Sequence, residues 1–165
     1  PLCNNRTDEY GGSFENRIRF LIEIIKAVKI ELSTQSLWVR LSATDWAEGG
    51  WNLDETVALC KILKDLEVEV IDVSTGGAVR EKKIDVKPNY QVSFADAVKN
   101  KAQITTGAVG LITTGKQAED ILQNKQADFI LIGREFLRNP HFVYACAMEL
   151  NQDIPWANQY ERGKE

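Results

Sequence analysis

Short apolar runs that end in small residues alternate with amphipathic stretches of helical period along most of the chain. The spacing predicts one helix followed by four strand-helix pairs. Strict alternation of this kind implies a parallel sheet, because a parallel crossover needs a helix to bring the chain back. The right-handed crossover rule then leaves two architectures, an open doubly wound sheet or a barrel.

Four strands make half of an eight-stranded barrel, and a complete barrel of that type has about 250 residues. The chain has 165 residues and begins with Pro1 in a loop-like stretch, which suggests that a segment upstream is missing. We therefore predict a single α/β domain over residues 1–165, the second half (four βα units) of a TIM (β/α)8 barrel. The predicted strands are 37–43, 68–73, 102–107 and 129–132, and the predicted helices are 14–32, 53–66, 93–100, a short one from Thr114 to about Asn124, and a last one capped by Asn139-Pro140.

Residues 127–138 have the pattern of a phosphate cradle. A buried strand runs through Gly133 directly into a helix, so that a ligand can approach the main chain beside Arg134, a bidentate cation. Residues 104–110 show the same pattern of a strand that ends in small residues, with Gly107 and Gly110 after the preceding strand. Barrels of this class bind phosphate after their last two strands. The alternative is that both glycine turns only permit tight connections.

Two further features point to the same end of the barrel. In strand 37–43 the aliphatic side chains alternate with Trp38, Arg40 and Ser42, and packing the aliphatic face against the helices sends Arg40 into the barrel mouth. A charge in that position needs a partner or a ligand. The segment 78–90, with Lys82 and Lys83, is too long for a simple connector and is either an active-site lid or a solvated surface loop.

Composition excludes several classes of function. The net charge is −4 and the basic residues are scattered, so we expect neither nucleic acid nor a membrane surface as a partner. There is no apolar run of bilayer length and no secretion signal. The three cysteines, Cys3, Cys60 and Cys146, are far apart, which favours reduced, packed thiols in a cytoplasmic protein. No metal site is predicted.

Residues 5–19 (Asn-Arg-Thr-Asp-Glu-Tyr-Gly-Gly-Ser-Phe-Glu-Asn-Arg-Ile-Arg) resemble a long signature of the old yellow enzyme family, the FMN-dependent NAD(P)H oxidoreductases and ene-reductases. Residues 39–42, 106–110 and 132–136 resemble the same family, and residues 159–163 are most similar to its bacterial-type subclass. The resemblance implies a barrel with FMN at the carboxyl ends of its strands and NAD(P)H as co-substrate. It also implies hydride transfer to an activated alkene such as an enone.

The resemblance also implies roles for single residues. Arg40 corresponds to the arginine near the N1/O2 edge of the flavin, where a fixed cation stabilises the reduced ring. Gly133 and Arg134, with Gly107 and Gly110 behind them, correspond to the phosphate site. Arg162 resembles an arginine that reaches into a neighbouring subunit's active site, and a disordered terminus is the alternative. Residues 5–17 are expected to position a loop through charge pairs rather than to act in catalysis.

Other parts of the family pattern are absent. The polar pair that grips the substrate and the tyrosine that can supply a proton would precede Pro1, and the one histidine, His141, is expected at the surface or in packing. No residue of this chain is therefore assigned to catalysis with certainty. The first hypothesis is the C-terminal half of an FMN-dependent oxidoreductase, inactive in isolation. The others are a half-barrel that binds phosphate or FMN and self-associates, and a different phosphate-binding barrel enzyme such as an isomerase.

Overall fold

A four-stranded parallel sheet forms the centre of the computed structural model, which describes residues 1–79 and 84–164. The strands follow one another in sequence order, from β1 (Trp38–Ser42) through β2 (Val70–Ser74) and β3 (Thr105–Ala108) to β4 (Phe129–Ile130). The helices are α1 (Phe14–Glu31), α2 (Leu53–Asp65), α3 (Val92–Ala102), α4 (Gly115–Gln123), α5 (Arg134–Arg138) and α6 (Phe142–Glu149), and a 3-10 helix follows at Asn158–Gly163. The predicted alternation is confirmed.

Several element boundaries differ from the prediction, for local reasons. The second and third strands begin later because Glu67 and Gln103 adopt the left-handed conformation and end the preceding helices there. The cap predicted for the last helix is wrong. Its N-cap position is His141, without a side-chain cap, and Asn139 Oδ1 instead accepts a hydrogen bond from the His141 amide at 3.0 Å.

The predicted orientation of β1 is confirmed. Val39 and Leu41 pack against the core between the sheet and the helices, whereas Arg40 on the other face is exposed. On that second face the Trp38 and Phe129 rings have centroids only 5.3 Å apart. Three strand spacings of about 4.8 Å separate the edge strands that carry them. The rings meet because the sheet curls toward this face, which we call the concave face, as the wall of a barrel does.

The stretch from Asn4 to Arg19 is fastened by charged groups. Arg17 Nη2 contacts Glu55 Oε1 at 2.6 Å, with both side chains largely buried, and Arg17 Nε donates to the Gly12 carbonyl at 3.1 Å. Arg19 Nε donates to the Glu9 carbonyl at 2.7 Å. These contacts tie the loop to α1 and α2, in agreement with the structural role expected for it.

The cysteines do not share one environment. Cys60 is fully buried in the core, and burial raises the pKa of its thiol to about 12. Cys146 is partly buried, but Cys3 is exposed, so the interpretation of all three as packing residues is wrong for Cys3.

None of the described helices is both long enough and apolar enough to cross a bilayer.

Candidate functional site

The loops that leave β3 and β4 meet at the carboxyl edge of the sheet and enclose a cavity of about 170 Å³. Parallel strands bring their carboxyl ends to the same edge, so two cradles in successive units must be neighbours. Three of the predicted site residues, Gly110, Gly133 and Arg134, line this cavity. Its other lining residues are Val109, Leu111, Ile112, Thr113, Leu131, Ile132, Glu135 and Arg138.

Gly133 leaves space that the protein does not use. It precedes α5 with a φ of −102°, and no described atom outside residues 132–134 lies within 4 Å of the position that a Cβ would take. The chain itself therefore gives no steric reason for a glycine here. Gly110 is different, because its φ is +131° and a Cβ would lie 3.0 Å from Gln91 Nε2. Glycine at 110 is required by the backbone and its neighbour.

The two arginines of the cavity differ in their partners. Arg138 Nε lies 3.0 Å from Glu135 Oε2, so that its charge is compensated within α5. Arg134 is exposed and makes neither a hydrogen bond nor an ion pair with any described residue. Arg134 is therefore the cation of this cavity that is available to a ligand.

Gly107 does not line the cavity. It lies within β3, paired with Asp72 and Phe129, and a Cβ there would stand 2.6 Å from Leu131 Cδ1. A glycine is needed at 107 because the Leu131 side chain covers it. Gly107 thus lies beneath Leu131 rather than at the cavity wall, and its assignment to the phosphate site stays a prediction.

Gln91 was missed by the sequence analysis, although it supports the site. It is buried, its Oε1 accepts from Thr75 Oγ1 at 2.8 Å, and its Nε2 donates to the Val109 carbonyl at 3.3 Å. The Gln91 side chain thus joins the loops after β2 and β3 and packs against Gly110. A polar residue before a helix start carries no sequence signal for such a role, since the same pattern is typical of an ordinary helix cap.

Part of the proposed lid lies outside the described residues, including Lys82 and Lys83. At its far end, Asn89 donates its backbone N–H to the Gly110 carbonyl at 3.0 Å, and its Oδ1 accepts from Gln117 Nε2 at 2.6 Å. This end of the segment is therefore anchored to the wall of the cavity.

Arg40 lies on the concave face, outside the cavity, and has a partner that the sequence analysis did not identify. Its Nε is 3.4 Å from Oδ2 of Asp72, the residue opposite it on β2. Burial raises the pKa of the Asp72 carboxyl, and the attraction of Arg40 offsets this only in part. The signal that could have found Asp72 is a lone carboxylate inside an otherwise apolar strand.

Arg162 and His141 lie away from the cavity. Arg162 is exposed within the 3-10 helix Asn158–Gly163. The His141 ring packs edge-to-face on Tyr160, with 4.7 Å between centroids, and the Tyr144 ring stacks on Trp156 at 4.2 Å. His141 thus has the surface and packing role expected of it.

The fold is shared with solved structures. Morphinone reductase superposes with a TM-score of 0.68 at 22% identity, over 93% of this chain and 40% of its own. Histamine dehydrogenase from Rhizobium sp. 4-9 superposes with a TM-score of 0.73 at 22% identity, over 89% of this chain and 22% of its own. The predicted half of a TIM barrel is confirmed.

Curated relatives are more similar in sequence. The NADPH dehydrogenase of Bacillus subtilis (strain 168) is 50% identical over 163 residues, and that of Geobacillus sp. (strain WCH70) is 52% identical over 163 residues. Each alignment covers 99% of this chain but only 48% and 47% of the relative, so the chain spans about half the length of the curated relatives it matches.

The sequence profile of one family matches residues 1–153, nearly the whole chain. The resemblance to FMN-dependent NAD(P)H oxidoreductases of the old yellow enzyme type is thereby confirmed. The chain belongs to the NADH:flavin oxidoreductase / NADH oxidase family.

Proposed function

We propose that this chain forms the phosphate-binding half of an FMN-dependent NAD(P)H oxidoreductase. The observation that carries the proposal is the cavity of about 170 Å³ between the loops after β3 and β4, with Gly133 open to it and Arg134 without a partner among the described residues. NADPH is favoured as the electron donor by the names of the relatives at about 50% identity.

The residues present fit a phosphate group. A phosphate ester needs close approach to backbone N–H groups and a fixed positive charge. The empty space at the Cβ position of Gly133 permits the approach, and the guanidinium of Arg134, which has no partner among the described residues, supplies the charge. We propose Gly110, Gly133 and Arg134 as the residues that would hold the phosphate of FMN. Gly107 would act indirectly, because the absence of a side chain there leaves room for the Leu131 side chain.

Arg40 would serve the flavin ring. Bound FMN supplies the chemistry of accepting hydride from NAD(P)H and passing it to an activated alkene such as an enone. The fixed positive charge of Arg40 on the concave face would favour an anionic ring. Arg162 is proposed only as a residue that could act in a neighbouring subunit.

Turnover by this chain alone is not expected. The single histidine packs on Tyr160, away from both Arg40 and the cavity. The described part of the concave face therefore offers no histidine pair to grip a substrate carbonyl. We expect the isolated chain to bind FMN but to leave enone-dependent NADPH oxidation at the background rate of free FMN.

A titration of the purified chain with FMN, followed by flavin fluorescence, tests the proposal. Arg134→Ala should weaken binding at least about tenfold, since a charge-assisted hydrogen bond contributes about 1.5–3 kcal/mol. Lys61→Ala is the matched control, because it removes the same charge from the exposed face of α2. Equal affinity in the native chain and Arg134→Ala would refute the cradle. Enone reduction above background by this chain alone would refute its inactivity.

A second candidate function is a non-catalytic FMN-binding half-barrel that self-associates. In the described chain, β1 and β4 each pair with only one strand. Trp38 and Phe129 on the concave face are 45% and 41% exposed, and Phe20 on α1 is 63% exposed. Unpaired strand edges and open apolar faces favour association. A mass that stays monomeric across a wide concentration range in sedimentation would exclude this candidate.

A further inference from the structure

Asp72 lies in the middle of the sheet, on the face that carries Arg40. The parallel register places Asp72 directly opposite Arg40 on one side and Gly107 on the other. Gly107 has no side chain, so β3 places no charged group beside Asp72. Arg40 is therefore the charged neighbour of Asp72 in the described sheet.

The two partners differ sharply in exposure. The Asp72 side chain is 16% exposed, whereas that of Arg40 is 59% exposed. Asp72 Oδ1 is buried and has no hydrogen-bond partner among the described residues. A buried carboxylate with one unsatisfied oxygen is costly, and a half-exposed arginine compensates for little of that cost. Burial accordingly raises the pKa of Asp72 despite the nearby cation.

This cost argues against a purely stabilising role. An apolar residue of similar size would fit the strand and avoid the desolvation of a carboxylate. Ionisable groups held at a cost to stability concentrate at functional sites. What Asp72 does in this structure is to contact Arg40.

The contact uses only one edge of the guanidinium. Asp72 Oδ2 lies 3.4 Å from Arg40 Nε, which is an ion-pair contact rather than a hydrogen bond, and neither terminal nitrogen of Arg40 donates a hydrogen bond to a described residue. A guanidinium held at Nε keeps its two terminal N–H₂ groups available as a fork for a ligand.

We propose that Asp72 is a positioning residue, which holds Arg40 by its Nε edge and so presents the terminal nitrogens to the flavin ring. The inference deepens the proposed function and rests on it for the identity of the ligand. The contact between the two residues is a property of the free chain and is tested without FMN.

The first test follows the Arg40 Nε–H group by NMR in the chain without FMN, with the signal identified by its loss in Arg40→Lys. In Asp72→Ala this signal should move and its hydrogen exchange should accelerate about two- to fivefold, the range for a partly exposed ion pair. Asp128→Asn is the control, because Asp128 pairs instead with Lys99, at 2.9 Å. Should Asp72→Ala fail to fold, Asp72→Asn removes the same charge with nearly the same shape. An Arg40 signal that neither substitution changes would overturn the proposal.

The second test is a double-mutant cycle on FMN affinity. Asp72→Ala should weaken binding about two- to fivefold in the native background and should have no effect in Arg40→Ala, because its action passes through Arg40. An equal loss in both backgrounds, or tighter binding by Asp72→Ala, would overturn the positioning role while leaving the phosphate cradle intact. If the native chain binds no FMN at all, the proposed function fails, and the NMR result still decides whether Asp72 holds Arg40.

Discussion

Replacing Gly133 by alanine separates the requirements of a ligand from those of the fold. Position 133 has a φ of −102°, outside the left-handed region, and no described atom outside residues 132–134 lies within 4 Å of the new methyl group. Alanine also reduces the conformational freedom of the unfolded chain, which stabilises a protein by about 0.4–1 kcal/mol where the backbone allows it. We expect the free energy of unfolding of Gly133→Ala to stay within about 1 kcal/mol of the native value.

Binding should respond quite differently. The methyl group would project into a cavity of only about 170 Å³, at the point where the proposed function requires a phosphate to approach the main chain. A displaced phosphate would lose the hydrogen bonds to the backbone and to Arg134 on which the proposed function depends. Loss of one charge-assisted hydrogen bond raises Kd at least about tenfold, which corresponds to about 1.4 kcal/mol.

The assay pairs urea unfolding with an FMN fluorescence titration on the same preparations. Gly110→Ala is the contrasting variant, because its φ of +131° and the contact with Gln91 predict losses of both stability and affinity. Native affinity for FMN in a well-folded Gly133→Ala protein would refute the reasoning. The glycine would then serve only the strand-to-helix connection.

Three further predictions concern packing and the cysteines. Gly115→Ala should lower the free energy of unfolding, measured by urea unfolding, by about 1–3 kcal/mol. The reason is that a Cβ at 115 would lie 2.8 Å from the Cys146 Cα and force α4 away from α6. A loss of stability no larger than that of Gly133→Ala would contradict this packing. Cys60, with its thiol pKa raised to about 12, should react with a disulfide reagent only on unfolding, whereas the exposed Cys3 should react at once. Because the unfolded thiol ionises at a lower pH than the folded one, Cys60 should also make stability fall as the pH rises above about 9, and Cys60→Ala should show a smaller fall.

Local patterns were sufficient for the elements and for part of the site. The helices and strands follow from hydrophobic period and cap residues, which act over a few neighbouring positions. Gly133 and Arg134 were identifiable because a strand, a glycine and a helix start are contiguous in sequence. The inward orientation of Arg40 followed from strand alternation alone.

Other parts of the site depended on pairing between distant segments. The register of β1 with β2 puts Asp72 beside Arg40, and the turn after β4 lays Leu131 over Gly107. Gln91 reaches two loops at once only after α3 has packed against the sheet. The contacts of Gly107 and Gln91 leave no trace in the local sequence, since Gly and Gln occur at such positions in many loops and strands. The lone carboxylate of Asp72 in an apolar strand marks that residue, but it does not identify Arg40 as its partner.

The sequence by itself determined the order of the elements, their buried faces and the two glycine turns, because each is a property of neighbouring residues. Only the tertiary structure decided which glycine lines the cavity and which lies beneath Leu131, and which carboxylate faces Arg40. The physical reason is that strand register and sheet curvature are set by packing over the whole sheet. A shift of one residue would replace every such partner while leaving the local pattern nearly unchanged.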